Sequence, residues 1–372
     1  MIFVKTVLVA GALAASQLAS PPAAGVERMP GSQRHTTSGT LQHVVRQLVR
    51  DGAPGSIAVV RDPSGIRRAE AGLARRRPRI AMAATDRFRV ASITKTFVAT
   101  VVLQLVAEGK LGLDDSIDRW LPGLVPNGKA ITIRELLDHT SGLYDYFDDS
   151  AFARAVVAHP GRIWQPRRLV AIATSHPRLF PPGAGWSYSN TNYILLGLAV
   201  EAVTGTTVDH ELRGRLFQPL GLGATSFPSG TRIAGPHANG YVGFATVPRF
   251  HTLVDTSIVS PSIGWAAGGI VSSGDDLTRF YGALLGGRLL PSSLLASMKT
   301  VVPGFHYGLG LLQVDTRCGS VYGHEGDFVG YRTVLYARPD GSRVALVMIN
   351  VDRTYITPSE LARAAETALC RG

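Results

Sequence analysis

Cysteine is almost absent from this 372-residue chain, which holds only Cys318 and Cys370. Two thiols exclude a cysteine-rich scaffold and any cluster of thiolate metal ligands. The ten histidines include no His-x-x-x-His pair, so nothing argues for a metal, and no cofactor is expected. A Gly-x-Ser-x-Gly elbow is also missing, which counts against a Ser-His-Asp triad. Charged residues make up only 17% of the chain, and the formal net charge of +11 comes almost wholly from arginine. Those arginines are scattered. The one tight cluster, Arg75, Arg76, Arg77 and Arg79, has no interleaved aromatics, so a nucleic-acid partner is excluded, while a basic exterior would suit anionic cell-wall polymers. The apolar run Thr6–Ala15 is short for a membrane span.

What the chain does have is apolar content, 45%, enough for a large core. Residues 1–24 read as a secretory signal, with Lys5, the apolar run and small residues from Ala19 to Ala24; an uncleaved anchor is the alternative. Residues 25–37 read as a flexible leader. Export would favour a single disulfide between Cys318 and Cys370 that pins the C-terminal helix, two buried free thiols being the alternative.

One stretch organises the rest. In RVASITKTFVATVVLQLVAEG, Arg89 to Gly109, apolar residues fall on every face from Phe97 to Val106, the pattern of a helix buried all round. Gly109 supplies the left-handed stop, so the helix is predicted over Ile93–Glu108. Ser92 sits at its start and Lys95 one turn on, on the same face. Burial and the helix dipole both disfavour the ammonium, so Lys95 could take the Ser92 proton, and free N–H groups at the helix end could hold an oxyanion.

Around that stretch, Leu41, Val44, Val45, Leu48 and Val49 mark an amphipathic N-terminal helix. Ser56–Arg61 and Ile66–Leu73 flank the turn Asp62-Pro63-Ser64-Gly65 and predict a hairpin. From Leu111 to about Thr225 the pattern is helical, with a capping box at Thr132 and Glu135 and an apolar helix over Thr191–Val203, for which Asn190 is a candidate N-cap. Gly235–Ser262 is hard to read and could hold a small sheet or a lid. Strands return at Gly319–Glu325, Val329–Ala337 and Arg343–Asn350, before a last helix opened by Thr357-Pro358-Ser359-Glu360. The organisation predicted is a sheet-and-helix domain from 38–88 and 260–372, a helical domain from 89–259, and an active site at their junction.

Two further motifs join Ser92-x-x-Lys95: Tyr188-Ser189-Asn190 and His324-Glu325-Gly326. In that order, across strand, helical insert and strand, the chain resembles the serine β-lactamase and penicillin-binding superfamily, and within it the secreted D-alanyl-D-alanine carboxypeptidases of actinomycetes. LLDHTSGLYDY (136–146), YSNTNY (188–193), HANGY (237–241), YGLGL (307–311) and YGHEG (322–326) carry the resemblance over nearly the whole mature chain. It implies an α/β (α+β), β-lactamase/transpeptidase-like fold with a five-stranded antiparallel sheet flanked by terminal helices and a mostly helical insert. It also implies that Ser92 is acylated, that Lys95 and Tyr188 move protons, and that Asn190 positions Lys95 and the substrate amide. His324 would replace a lysine as electrostatic partner, the N–H groups of Ser92 and Asp327 would form the oxyanion hole, and Trp265 would be an aromatic wall, unless it is a core residue.

The expected substrate is a small peptide, amide, ester or β-lactam, handled by a monomer. A non-catalytic receptor for penicillin or wall peptide is the rival reading. The carboxypeptidases have threonines where this chain has Glu325 and Asp327, and an arginine near Leu312, groups that hold a substrate's terminal carboxylate. Positions two apart on a strand share a face, so Glu325, Asp327 and Gly326 are expected to form a substrate-binding segment whose two carboxylates repel a free C-terminus, unless Arg317 or Arg332 offsets them. Esters, amides, or neutral or cationic leaving groups would then be preferred.

Overall fold

A computed structural model describes residues 37–247, 250–353 and 355–372. The signal segment and leader lie outside these residues, except Thr37, which already opens the first helix, Thr37–Arg50. Among the described residues no helix is long and apolar enough to cross a membrane.

The framework is one antiparallel sheet of seven strands, two more than expected. Across it run Ile80–Ala81, Gly65–Arg75, Gly55–Asp62, Val344–Ile349, Tyr331–Ala337, Gly319–Phe328 and Leu312–Thr316. The additions are the two edges, whose half-buried or exposed residues lack the alternation that reveals a strand. In the middle, Ser56 pairs with Ile349 and Val60 with Ala345, so the N-terminal hairpin closes onto the C-terminal strands. Val344–Ile349 is buried throughout, because one face carries the terminal helices and the other the helix Gly274–Leu285, which explains its unbroken apolar run.

The terminal helices share one face and one core. Leu41, Val45 and Leu48 meet Ala58, Val60, Val347, Leu361 and Ala365 there. The last helix, Pro358–Arg371, begins with the expected capping box of Thr357 and Glu360, and Thr132 with Glu135 forms the other. The disulfide joins Cys318, in the turn between the last two strands of the sheet order, to Cys370 near the end of that helix. Arg317 and Glu366 add an ion pair beside it, 2.9 Å apart.

On the opposite face, Thr94–Ala107 is the central helix, preceded by a tight turn over Ala91–Ile93. Asn190–Thr204 packs beside it and ends at Gly205, whose φ of 71° is the left-handed stop. Its N-cap is Ser189, not Asn190: the asparagine opens the helix and its amide is engaged elsewhere. The segment that was hard to read holds a hairpin, Tyr241–Val247 with Phe250–Asp255. Although this lies within the stretch assigned to the helical part, Tyr241 hydrogen-bonds to Gly330, Asn350 and Asp352 of the sheet side.

Peptide mapping without reduction should recover the Cys318–Cys370 link, and two free thiols would refute it. Across a separation of 52 residues, Cys370→Ser should cost about 4 kcal/mol in urea unfolding, since the open chain gains loop entropy when unfolded.

Candidate active site

Ser92 lies in the turn that begins the central helix, 8% exposed, and its neighbour Ala91 has φ of 51°, an uncommon conformation for a residue with a Cβ. Strand Gly319–Phe328 presses against this turn. A Cβ on Gly326 would stand 2.3 Å from the Val90 carbonyl oxygen, so only glycine permits the contact.

The strand's outer side is open there. Leu312–Thr316 pairs only with Gly319 to Gly323, and no other described residue pairs outside His324–Phe328. Two-residue turns join Thr316 to Gly319 and Phe328 to Tyr331, so both pairs should be hydrogen-bonded. By alternation, the backbone groups of Glu325 and Asp327 then point outward, to the free edge. An extended substrate could pair along that edge. The N–H groups expected to hold an oxyanion, those of Ser92 and Asp327, flank the Ala91–Gly326 contact, and a helix's first amides have no acceptor inside the helix.

Lys95 is fully buried. Its Nζ is 3.0 Å from Ser92 Oγ, 2.8 Å from Asn190 Oδ1 and 2.8 Å from the Ala267 carbonyl oxygen. Two of these neighbours can only accept. A neutral lysine therefore spends its two N–H bonds on them and leaves its lone pair facing the Ser92 hydroxyl. Burial lowers its pKa to about 7 against the opposing pull of Asp145, so the neutral form is accessible. Tyr188 lies alongside, its ring centre 4.8 Å from the lysine nitrogen. Its phenol oxygen is buried and faces the Ser92 hydroxyl without hydrogen-bond geometry, and burial holds the phenol neutral, its pKa well above the ordinary value.

His324 is also buried, 1% exposed. Its Nδ1 donates to the Glu325 carbonyl at 2.6 Å, so Nε2 accepts from the Tyr307 hydroxyl at 3.0 Å. Burial and then Lys95 depress its pKa to about 3. It is neutral, so the positive charge expected at a lysine's place is absent.

Several residues of the site had no role assigned from sequence. Tyr307 bonds His324, and the buried His139 lies between Tyr188 and Tyr307, its ring tilted against both, with ring centres 4.3 and 4.8 Å away. His139 Nδ1 accepts from Ser189 N–H and Asn192 Nδ2, at 3.2 and 3.1 Å. Asp145 holds Asn190. All lie in the stretches LLDHTSGLYDY, YSNTNY and YGLGL, which were the available signal.

Trp265 rests on Gly197 of the neighbouring helix and meets Phe227 edge-on. Among the described residues, no ring contact joins it to Tyr188. Glu325 and Asp327 do lie on the face opposite His324, across from Val334 and Arg332. The expected pair of free charges is not there, however. Asp327 is bonded to Arg353 Nε at 2.7 Å, with Arg332 Nε at 3.9 Å, while Arg317 turns to Glu366. Only Glu325 stands without an ion pair, half-buried, its pKa raised by that burial.

If neutral Lys95 is the base, the rate of Ser92 modification by a fluorophosphonate should rise with pH through about 7. A rate flat from pH 6 to 8 would contradict this.

The family model described as Beta-lactamase matches residues 41–368. The chain is 29% identical to penicillin-binding protein 4* of Bacillus subtilis over 76% of its own length, spanning 64% of that protein. It is also similar in structure to the D-stereospecific amidohydrolase from Streptomyces sp., with a TM-score of 0.80 and 38% identity over 90% of this chain and 98% of that one. The D-amino acid amidase from Ochrobactrum anthropi SV3, complexed with L-phenylalanine amide, gives a TM-score of 0.78 and 26% identity over 89% and 97% of the two chains.

Proposed function

The chain belongs to the Beta-lactamase family, and from that premise we propose that it is a serine amidohydrolase cleaving amides or esters of D-amino acids through an acyl-enzyme on Ser92. The observation that carries the proposal is the buried Lys95, whose Nζ lies 3.0 Å from Ser92 Oγ beside an open strand edge. Lys95 takes the hydroxyl proton as Ser92 Oγ attacks the carbonyl, and the N–H groups of Ser92 and Asp327 hold the oxyanion. Tyr188 and Lys95 return the proton to the leaving amine or alkoxide. Water then enters by the same route and releases the acid. The neutral His324 and Tyr307 hold this side of the pocket without adding charge.

An amide is favoured over a peptide with a free C-terminus on two grounds. The similar amidohydrolase and amidase act, by name, on D-configured substrates. Arg332 and Arg353, the basic groups paired with Asp327, are already engaged by it. A substrate carboxylate ~6 Å from ionised Glu325, at an effective dielectric near 20, would be repelled by on the order of 3 kcal/mol, about a hundredfold in binding. We further propose that the protein is exported, since its disulfide suits an oxidising compartment.

Intact-mass analysis after incubation with penicillin or a fluorophosphonate should show an adduct on Ser92 that Ser92→Ala lacks; no adduct with either reagent defeats the enzyme reading. An adduct without turnover of any amide, ester or peptide would make the chain a receptor. On matched peptides, kcat/KM should favour D-alanine amide over free D-alanine at the C-terminus. Glu325→Thr should narrow that ratio and Asp327→Thr should change it little. A natural preference for the free acid would sink the amidase assignment.

A further inference from the structure

Asp145 is a buried acid, 7% exposed, to which the chemistry above gives no part. Each of its oxygens already accepts a hydrogen bond: Oδ1 from the Phe147 N–H at 3.0 Å, and Oδ2 from Asn190 Nδ2 at 2.8 Å. The far end of the same asparagine presents Oδ1 to Lys95 Nζ at 2.8 Å. A side-chain amide can point either way, and only one orientation offers the lysine an oxygen. A carboxylate is the one group of this size that accepts on both sides and donates on neither. Among the described residues no arginine or lysine forms an ion pair with Asp145, and Lys95 feels its charge across the asparagine.

We infer that Asp145 is a positioning residue for the reaction: its carboxylate fixes the Asn190 amide in the orientation that holds Lys95, and it supplies the negative charge that Lys95 meets across that bridge. The inference rests on Lys95 acting as the base. The surroundings leave Asp145 as the charge that counts. Lys95 also faces His139, His324, Tyr188 and Tyr193, all neutral in this packing. Asp145 faces Tyr146 and Tyr188, both neutral, and its own pKa is raised to about 6, by burial first and then by the like charge of Asp148. The negative charge favours the ammonium form of Lys95, in opposition to burial. Removing it should therefore let Lys95 lose its proton at lower pH, while a turned Asn190 amide would spoil the lysine's placement.

Two variants separate this role from structural support. Asp145→Asn puts a donor where two donors already point. Asp145→Ser keeps a hydroxyl able to accept from the Phe147 N–H but too short to reach Asn190. With a chromogenic D-amino-acid amide, both should lower kcat/KM at least tenfold and move its acid limb down by about one pH unit. Asp149→Asn, which removes a negative charge from the same loop, keeps an oxygen to cap the Phe152 N–H and touches neither Asn190 nor Lys95, should leave the limb in place. Fluorophosphonate labelling reports the fraction of folded sites, so lost stability is not mistaken for lost rate. In the double variant with Asn190→Ala, the two losses should fall well short of adding. An unmoved acid limb in fully labelled Asp145→Ser protein overturns the inference, as do additive losses. If instead the natural protein turns over amides no faster than Ser92→Ala, it is the proposed function that fails.

Discussion

Everything in the site follows from burying one amine. An ammonium deprived of water is costly, and the surroundings of Lys95 are arranged so that it need not be charged. The central helix supplies the dry environment, since Phe97, Val98, Val101, Val102 and Leu105 leave no wetted face. Asn190 and the Ala267 carbonyl satisfy the amine's hydrogens, and Ser92 takes what remains. Close packing has the same centre. Gly310, with φ of 80°, lies so near Ala99 and the Tyr193 hydroxyl that a Cβ would collide with both.

The parts of the fold that were legible from sequence are those fixed by local periodicity. The terminal helices show a one-sided stripe, Val344–Ile349 an unbroken apolar run, and the capping boxes their own spacing, so each was found. Ser92 and Lys95 were legible for the same reason, because one helical turn brings them together. Pairings across long separations were not. Asp145 meets Asn190 45 residues later, Asp327 meets Arg353, and Tyr307 reaches His324 through a loop with no period at all. The two edge strands escaped because an edge needs no apolar alternation when one side faces solvent.

The arginine excess also has a structural reading. Arg215 bridges Glu108 and Glu211, Arg67 and Arg343 converge on Asp62, and Arg353 with Arg332 holds Asp327. Arg89 is buried outright against Phe328 and bonds the Thr231 carbonyl. Part of the charge that dominates the composition thus joins segments of the fold, while Arg76, Arg77 and Arg79 stay exposed.

One local device produces both the opening and the lining of the pocket. The chain from Tyr307 to Leu311 folds back on itself: Tyr307 bridges to Leu312, and the Gly308 N–H bonds to the Leu311 carbonyl at 2.8 Å. Held in that loop, the chain cannot join the sheet before Leu312, whose partner is Gly323, so His324 to Phe328 are left without an outer neighbour. The same fold-back carries the Tyr307 hydroxyl to His324, while the Gly310 carbonyl accepts from Thr96, one residue beyond Lys95. A strand one turn longer would pair over Glu325 and Asp327 and close the edge, and it would also pull Tyr307 off His324. The open edge and the neutral lining beside Ser92 are therefore a single structural choice, made by two glycines and a tyrosine in YGLGL.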